Sequence, residues 1–354
     1  MPGREVVAVD LFCGIGGLTH GLEKAGIKVV AGIDNDVTCK FAYEANNKAR
    51  FIKADITRLN GRRLRALYPK DAIRILVGCS PCQTFSQHTI KNKIDKKDVR
   101  WTMLRHFLRL IRSSNPDIIS MENVPRLRNY PIFEEFVRGL QKRDYKVYYR
   151  IVFCPRYGVP QRRVRLVLLA ARRKIELIPE THDPATYAHV GDIIRNMPRI
   201  RDGEIDTNDG MHKAWRLSSI NKKRIKQSKQ GGTWLDWDEE LRLPCHRRRG
   251  GKTYKAVYGR MRWADLAPTI TTQFYSYGSG RFGHPEQDRA ISLREGALLQ
   301  TFEPDYKFFD KSSQNPNEIS FKIIGRHIGN AVPVRLGEVI GTSIKNYAKG
   351  GING

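Results

Sequence analysis

Acidic residues are scarce in this chain: 36 Asp and Glu stand against 63 Lys and Arg, a formal net charge of +27 over 354 residues. Such an imbalance makes a polyanion the first candidate partner, because affinity for a phosphate backbone grows with each counterion released. A solubilising surface accounts for a modest excess, not for this one. Long apolar runs are missing too. No stretch approaches the roughly 20 apolar residues that span a bilayer. No basic amphipathic helix stands out, and Met1-Pro2-Gly3-Arg4-Glu5 leads into a strand-like run instead of a signal peptide. The expectation is a cytoplasmic protein with no membrane partner. Cysteine is sparse and scattered: Cys13, Cys39, Cys79, Cys82, Cys154 and Cys245 lie in a chain too large to need disulfide staples, which implies a reducing compartment. Cys79-Ser80-Pro81-Cys82 has CxxC spacing, but no second such pair or close His pair completes a metal shell. No metal is expected, and no internal repeat is visible.

What is present is alternation. Short β-branched runs at Val6–Phe12, Lys28–Ile33, Ile73–Val77, Asp117–Met121, Val147–Phe153 and Val164–Ala170 are interleaved with helical patterns such as Leu18–Ala25 and Met103–Ile111. Strands alternating with helices indicate an α/β fold whose sheet is mostly parallel and covered on both faces. After Arg172 the texture turns polar, Arg-rich and Gly-punctuated up to about Arg289, which suggests a smaller second domain. Helical patterns return at Leu293–Leu299 and Val334–Ile344, the second long enough to pack back onto the first domain.

Three constellations carry chemistry. Phe12-Cys13-Gly14-Ile15-Gly16-Gly17 follows the first strand and precedes a helix, where glycines let a nucleotide-like ligand approach the backbone. Asp34 ends the second strand, as a ribose ligand or as a helix cap; spacing leaves both open. Counting on from Gly14 and Gly16 puts Thr19 where a dinucleotide fold wants its third glycine, so a nucleoside cofactor without phosphates suits the loop better. Asp55, after Phe51-Ile52-Lys53, is a candidate adenine acceptor. Pro81-Cys82-Gln83 places a thiol beyond one strand, and Glu122 places a carboxyl at the end of another. Buried packing is the usual fate of such a cysteine, but a loop position among basic residues favours a reactive thiolate; a carboxylate ending an apolar strand is unusual unless paired or functional, with a helix cap as the alternative. Arg163 and Arg165, two apart at the start of a strand, are expected to face the same side and suit phosphate or carboxylate.

Taken in order, these blocks resemble the DNA (cytosine-5) methyltransferase family almost end to end. The matching blocks are Asp10 to Gly17, Gly32-Ile33-Asp34, Ala54-Asp55-Ile56, Ser80 to Ser86, Glu122-Asn123-Val124, Gln161 to Arg165, Arg294-Glu295 with Gln300-Thr301-Phe302, and Gly329 to Pro333. The resemblance implies a Rossmann-like S-adenosylmethionine-dependent catalytic domain at residues 1–178 and 325–354, with an irregular or β-rich target recognition domain and hinge at 179–324. It implies that Cys82 adds to C6 of a flipped-out cytosine, that Glu122 acts at N3 and the exocyclic amine, and that Arg165 holds the base carbonyl with Arg163 assisting. Phe12, Gly14, Gly16, Asp34, Asn35, Asp55, Ile56, Pro81 and Asn330 would form the cofactor site, and Ser86 would meet DNA. Arg247, Arg248, Arg249, Arg260 and Arg262 are candidate DNA contacts, with phosphates the expected partners.

The chain departs from the family pattern in Cys79-Ser80 before Pro81, in Asp34 for the commoner Glu, and in Glu303 between Phe302 and Pro304. The first two keep the chemistry and the third touches a structural block. The expectation is therefore a monomeric enzyme on double-stranded DNA, within a restriction-modification system with a separate endonuclease or as an orphan. Three rivals stand beside it. One is a tRNA cytosine-5 methyltransferase, whose usual Cys-Phe-Thr signature is absent. The others are a catalytically silent DNA-binding relative and, more distantly, a nicotinamide oxidoreductase.

Overall fold

The computed structural model describes residues 4–81, 99–248, 255–310 and 320–350. Strands β1 (Val6–Leu11), β2 (Lys28–Asp34), β3 (Arg50–Lys53), β4 (Ile73–Gly78), β5 (Ile118–Asn123), β6 (Lys146–Phe153) and β7 (Val164–Ala171) form one sheet in the order β3-β2-β1-β4-β5-β7-β6. In chain order the α-helices are α1 (Gly17–Lys24), α2 (Lys40–Asn46), α3 (Gly61–Arg65), α4 (Val99–Ser114), α5 (Pro131–Gln141), α6 (Val190–Ile194), α7 (Ser219–Gln227), α8 (Pro244–Arg247), α9 (Leu293–Leu299), α10 (Phe321–Asn330) and α11 (Val334–Lys349). The chain divides into two compact units: Met1–Tyr157 with Val164–Thr181 and Val332–Gly354, and Gly158–Arg163 with His182–Ala331.

The first unit holds the sheet. Strands β1 to β5 pair in parallel, while β7 runs antiparallel to both β5 and β6. Between β6 and β7 the segment 154–163 contains Pro155, Gly158 and Pro160 and only a 3-10 turn at Cys154–Tyr157, too little chain for the helical crossover that a parallel partner needs. It therefore turns back. Parallel strands buried on both faces read as continuous apolar runs, and Val7, Val9, Leu11, Leu76, Ile119, Met121 and Leu168 make one core with Phe107 of α4 and Phe136 of α5. Helix α11 closes against α1 at the level of backbone. A methyl group on Gly21 would collide with the Val334 carbonyl, and one on Gly337 would stand 3.0 Å from the Leu18 carbonyl. The Lys345 ammonium also donates to the Ala25 carbonyl at the end of α1, at 2.9 Å.

Strand register decides where chemistry can sit. Leu11 pairs with Ile33 and Gly78, Gly78 pairs with Met121, and Asn123 lies opposite Leu166. The carboxyl ends of β1, β2, β4 and β5 and the start of β7 thus share one edge. Because β2 and β4 flank β1, the winding reverses there, which is where open α/β sheets bind ligands.

The second unit is irregular, and isolated bridges such as Gln230 to Arg260 and Gly283 to Ala290 replace strands among its described residues. Its apolar core is small, gathered around Leu217, Ile225, Trp234, Trp237, Leu241 and Tyr277. Buried polar pairs do much of the bracing. Arg289 and Glu295, both fully buried, are joined at 2.7 Å, and Glu295 also closes a capping box with Ser292 at the start of α9. The Gln161 side-chain amide donates to the Leu299 carbonyl at 2.7 Å and its oxygen accepts from the Ile270 N–H at 3.0 Å.

Candidate active site

At the end of β1 the chain enters the left-handed region three times in five residues, at Phe12 (φ 58), Gly14 (φ 51) and Gly16 (φ 90). Glycine takes that conformation at no steric cost, whereas Phe12 is strained there, a kind of strain that clusters at ligand sites. A methyl group placed on Gly14 would meet nothing within 4 Å, so open space lies over the backbone at that residue. Asp34, at the end of β2, accepts from the Gly14 N–H through Oδ2 and from the Asp36 N–H through Oδ1, both at 2.9 Å. That carboxylate ties two strand ends together and leaves Asn35 exposed beside them. Beyond β3, Asp55 is exposed and Ile56 is buried. Hydrogen bonds from the Thr57 N–H and hydroxyl hold the Asp55 carboxyl below its usual range. The loop itself is fixed from α4, where Arg109 donates to the carbonyls of Ile56 and Leu59 at 2.8 and 2.9 Å. Open space above a left-handed glycine, an acid at each of two strand ends and no third glycine fit a nucleoside cofactor without a pyrophosphate.

Beneath the loop lies a buried acid that the sequence reading passed over. Asp10 is 1 % exposed, and its Oδ2 accepts from the Thr19 hydroxyl, which also bonds the Tyr43 hydroxyl at 3.0 Å. Burial pushes the Asp10 carboxyl up to about 7; the Thr19 bond works against that and nearby Asp34 adds to it. The residue at the third-glycine position thus serves this acid.

Across the edge, Glu122 is 2 % exposed at the end of β5. Its Oε2 accepts from the Cys79 thiol at 2.8 Å, and its Oε1 lies 2.9 Å from Arg165 Nε. The guanidinium is near but its N–H does not point at the oxygen, so Oε1 has a counter-charge and no aligned hydrogen-bond donor among the described residues. Next in the strand, Asn123 donates to the Ser80 carbonyl at 3.0 Å and lies 3.1 Å from the Ser80 hydroxyl. This clamps the segment after β4, up to exposed Pro81. Cys82, Ser86 and Arg249 lie outside the described residues. Cys79, Asn123 and Arg109 are the supports that sequence reasoning missed, since no spacing rule marks a residue whose partner comes from another strand or helix.

The expectation that Arg163 and Arg165 both lie at the start of one strand does not hold. Strand β7 begins at Val164, so only Arg165 lies in it. Arg163 belongs to the second unit, where its guanidinium donates to the carbonyls of Ile270 and Ala331 at 3.1 and 3.2 Å. Asn330, exposed at the end of α10, also belongs to that unit. Of the arginines expected to meet DNA, Arg247, Arg248 and Arg262 are exposed. Arg260 is corrected. It is 5 % exposed, and its guanidinium donates to the carbonyls of Ser228, His284, Gln287 and Ile225 and to the Asp288 carboxylate. With its five N–H groups so engaged it is a structural brace, and no donor is left for a phosphate.

The family profile for C-5 cytosine-specific DNA methylases matches residues 6–346. Type II methylase M.HgiDII of Herpetosiphon aurantiacus is 52 % identical over 346 residues, covering 97 % of this chain and 96 % of that protein. Type II methyltransferase M.Eco47II of Escherichia coli is 27 % identical over 95 % of this chain and 78 % of its own length. Among solved structures, a Spodoptera frugiperda DNMT2 mutant aligns with a TM-score of 0.65 at 17 % identity, over 96 % of this chain and 100 % of that one. Entamoeba histolytica methyltransferase EhMeth aligns with a TM-score of 0.63 at 15 % identity, over 99 % of each chain. These two share the fold. No helix among the described residues is long and apolar enough to cross a membrane. The chain belongs to the C-5 cytosine-specific DNA methylases, a family of S-adenosylmethionine-dependent enzymes, and is a DNA (cytosine-5) methyltransferase.

Proposed function

We propose that the enzyme methylates cytosine within one short sequence of double-stranded DNA, on a base flipped out of the helix, through a transient bond from Cys82. The observation that carries this is the buried Glu122 beside Arg165, at the strand edge where the segment after β4 begins. Cytosine C5 is a weak nucleophile. A Cys82 thiolate donating its electron pair to C6 forms a C–S bond and pushes the C5–C6 π electrons toward C5, with charge spreading to the ring nitrogen and carbonyl. Glu122 holds the exocyclic amine through Oε1 and shares a proton at N3, and Arg165 holds the carbonyl, so charge that develops in the ring meets fixed partners. When bound, S-adenosylmethionine supplies an electrophilic methyl group to C5. Departure of the C5 proton then re-forms the C5–C6 double bond and expels the Cys82 thiolate.

Phe12, Gly14, Gly16, Asp34, Asn35, Asp55, Ile56 and Pro81 would hold the cofactor, with Asn330 completing the site, and Arg163 would assist at the catalytic site. The second unit would recognise the target, with Ser86, Arg247, Arg248, Arg249 and Arg262 on DNA, chiefly at phosphates. The relatives named type II support a role in a restriction-modification system beside a separate endonuclease. The enzyme would act as a monomer in the cytoplasm. Bisulfite sequencing of DNA from cells expressing the protein tests the reading and reports the target together. One methylated sequence context, lost in Cys82→Ala, is expected; methylation unaffected by Cys82→Ala, or label from tritiated S-adenosylmethionine appearing only in RNA, overturns it.

A further inference from the structure

Glu122 is held by an unusual partner. Its Oε2 takes the hydrogen of Cys79, the residue directly after β4, and its Oε1 faces Arg165 without an aligned donor. A carboxylate beside a guanidinium has a competing geometry, the planar two-bond fork that arginine favours. Rotation into that fork would give Oε1 an aligned donor. The thiol bond opposes the rotation because it fixes Oε2 from the neighbouring strand, whose Gly78 is in register with Met121. We propose that Cys79 is a positioning residue that keeps Glu122 out of a two-bond fork with Arg165, leaving the buried Oε1 without a fixed donor so that it can accept from the exocyclic amine of the target base.

This rests on Glu122 acting on the base, and two readouts keep the ideas apart. The first needs no turnover. A thiol bonded to a carboxylate has a lowered S–H stretching frequency, which infrared difference spectra of wild type against Cys79→Ala isolate from the other cysteines. A lowered band that moves up in Glu122→Gln is expected; a band at the free-thiol position, unmoved by Glu122→Gln, overturns the proposal. The second is steady-state kinetics on duplex DNA. Loss of one hydrogen bond to a charged group predicts a kcat for Cys79→Ala lower by about tenfold, with KM for DNA within about twofold of wild type. Cys79→Ser, whose hydroxyl can donate in the same place, restores most of the rate. Equal losses in Cys79→Ser and Cys79→Ala, or a loss confined to KM, overturn it. If Cys79→Ala fails to fold, the serine variant and the Glu122→Gln spectrum of the otherwise intact enzyme carry the test. Should Glu122→Gln methylate normally while the band still moves, the reading of Glu122 fails and the hydrogen bond stands.

Discussion

Thr19 donates its hydroxyl to the buried carboxyl of Asp10 at 2.8 Å, directly beneath the glycine loop. That carboxyl is pushed up by burial from 3.8 to about 7, so the folded state keeps a proton that the unfolded chain releases earlier. Stability of the first unit therefore falls as pH rises from about 4 to about 7 and is level above that. Asp10→Asn keeps an acceptor for Thr19 and has nothing to titrate. Hydrogen exchange of the β1 amides at pH 5 and pH 8 should show this slope in wild type and a flatter one in the variant. Equal slopes contradict the assignment.

The second unit should respond the opposite way. His284, 2 % exposed, is pushed down to about 3 by burial and by the positive charges of Arg289 and Arg260, with Glu295 partly offsetting them. A histidine held neutral stabilises the fold fully above its ordinary value near 6.5, and that contribution is lost as pH falls from there toward 3. Glu295 adds a second loss further down: burial raises its carboxyl, but Arg289 outweighs burial and holds it at about 2. Exchange protection around α9 should weaken between pH 6.5 and 4, and His284→Gln should remove most of that dependence. Protection that strengthens on acidification in wild type argues against a neutral His284.

Arg260 and its exposed neighbours should separate cleanly. Arg260→Met strands four carbonyls inside the second unit and should cost about 2 to 4 kcal/mol of stability. Arg247→Ala and Arg248→Ala should stay within about 0.5 kcal/mol of wild type while each lowers the slope of log affinity against log salt by about 1. Denaturant melts and DNA titrations at several salt concentrations read both quantities. A stable Arg260→Met protein, or unchanged salt slopes, would reverse these roles.

How far the sequence was readable follows from where each constraint comes from. Runs such as Val6–Leu11 and Ile73–Gly78 declared themselves because a strand buried on both faces must be apolar throughout. The strand-edge positions of Asp34, Glu122 and Arg165 followed from those runs and the order of the family blocks. Features that depend on which strands become neighbours were not legible. Cys79 reads as half of a CxxC until β4 and β5 lie side by side, and Arg260 reads as a DNA contact until five acceptors from distant segments surround it. The antiparallel insertion of β7 is a middle case: Pro155, Gly158 and Pro160 rule out a crossover helix, but only the register shows the strand entering between β5 and β6.

Glu122 and Arg165 should be strongly coupled, since both are largely buried with side chains 3 % and 13 % exposed. Arg165→Met leaves an uncompensated buried carboxylate and should cost about 3 to 5 kcal/mol. Adding Glu122→Gln removes that charge, so the double variant should recover part of the loss although neither protein is active. Additive losses in the double-mutant cycle would show that the pair does not interact.

The central claim is a bond between Cys82 and C6 of an extruded cytosine, and trapping it is the direct test. Duplex DNA carrying 5-fluorocytosine at the target, incubated with the enzyme and S-adenosylmethionine, blocks the final proton loss and should leave a stable adduct whose mass is that of protein plus methylated DNA. Peptide mapping should place it on Cys82, and Cys82→Ala should form none. Methylation of ordinary duplex DNA by an enzyme that yields no adduct, or yields one on another residue, would contradict the account.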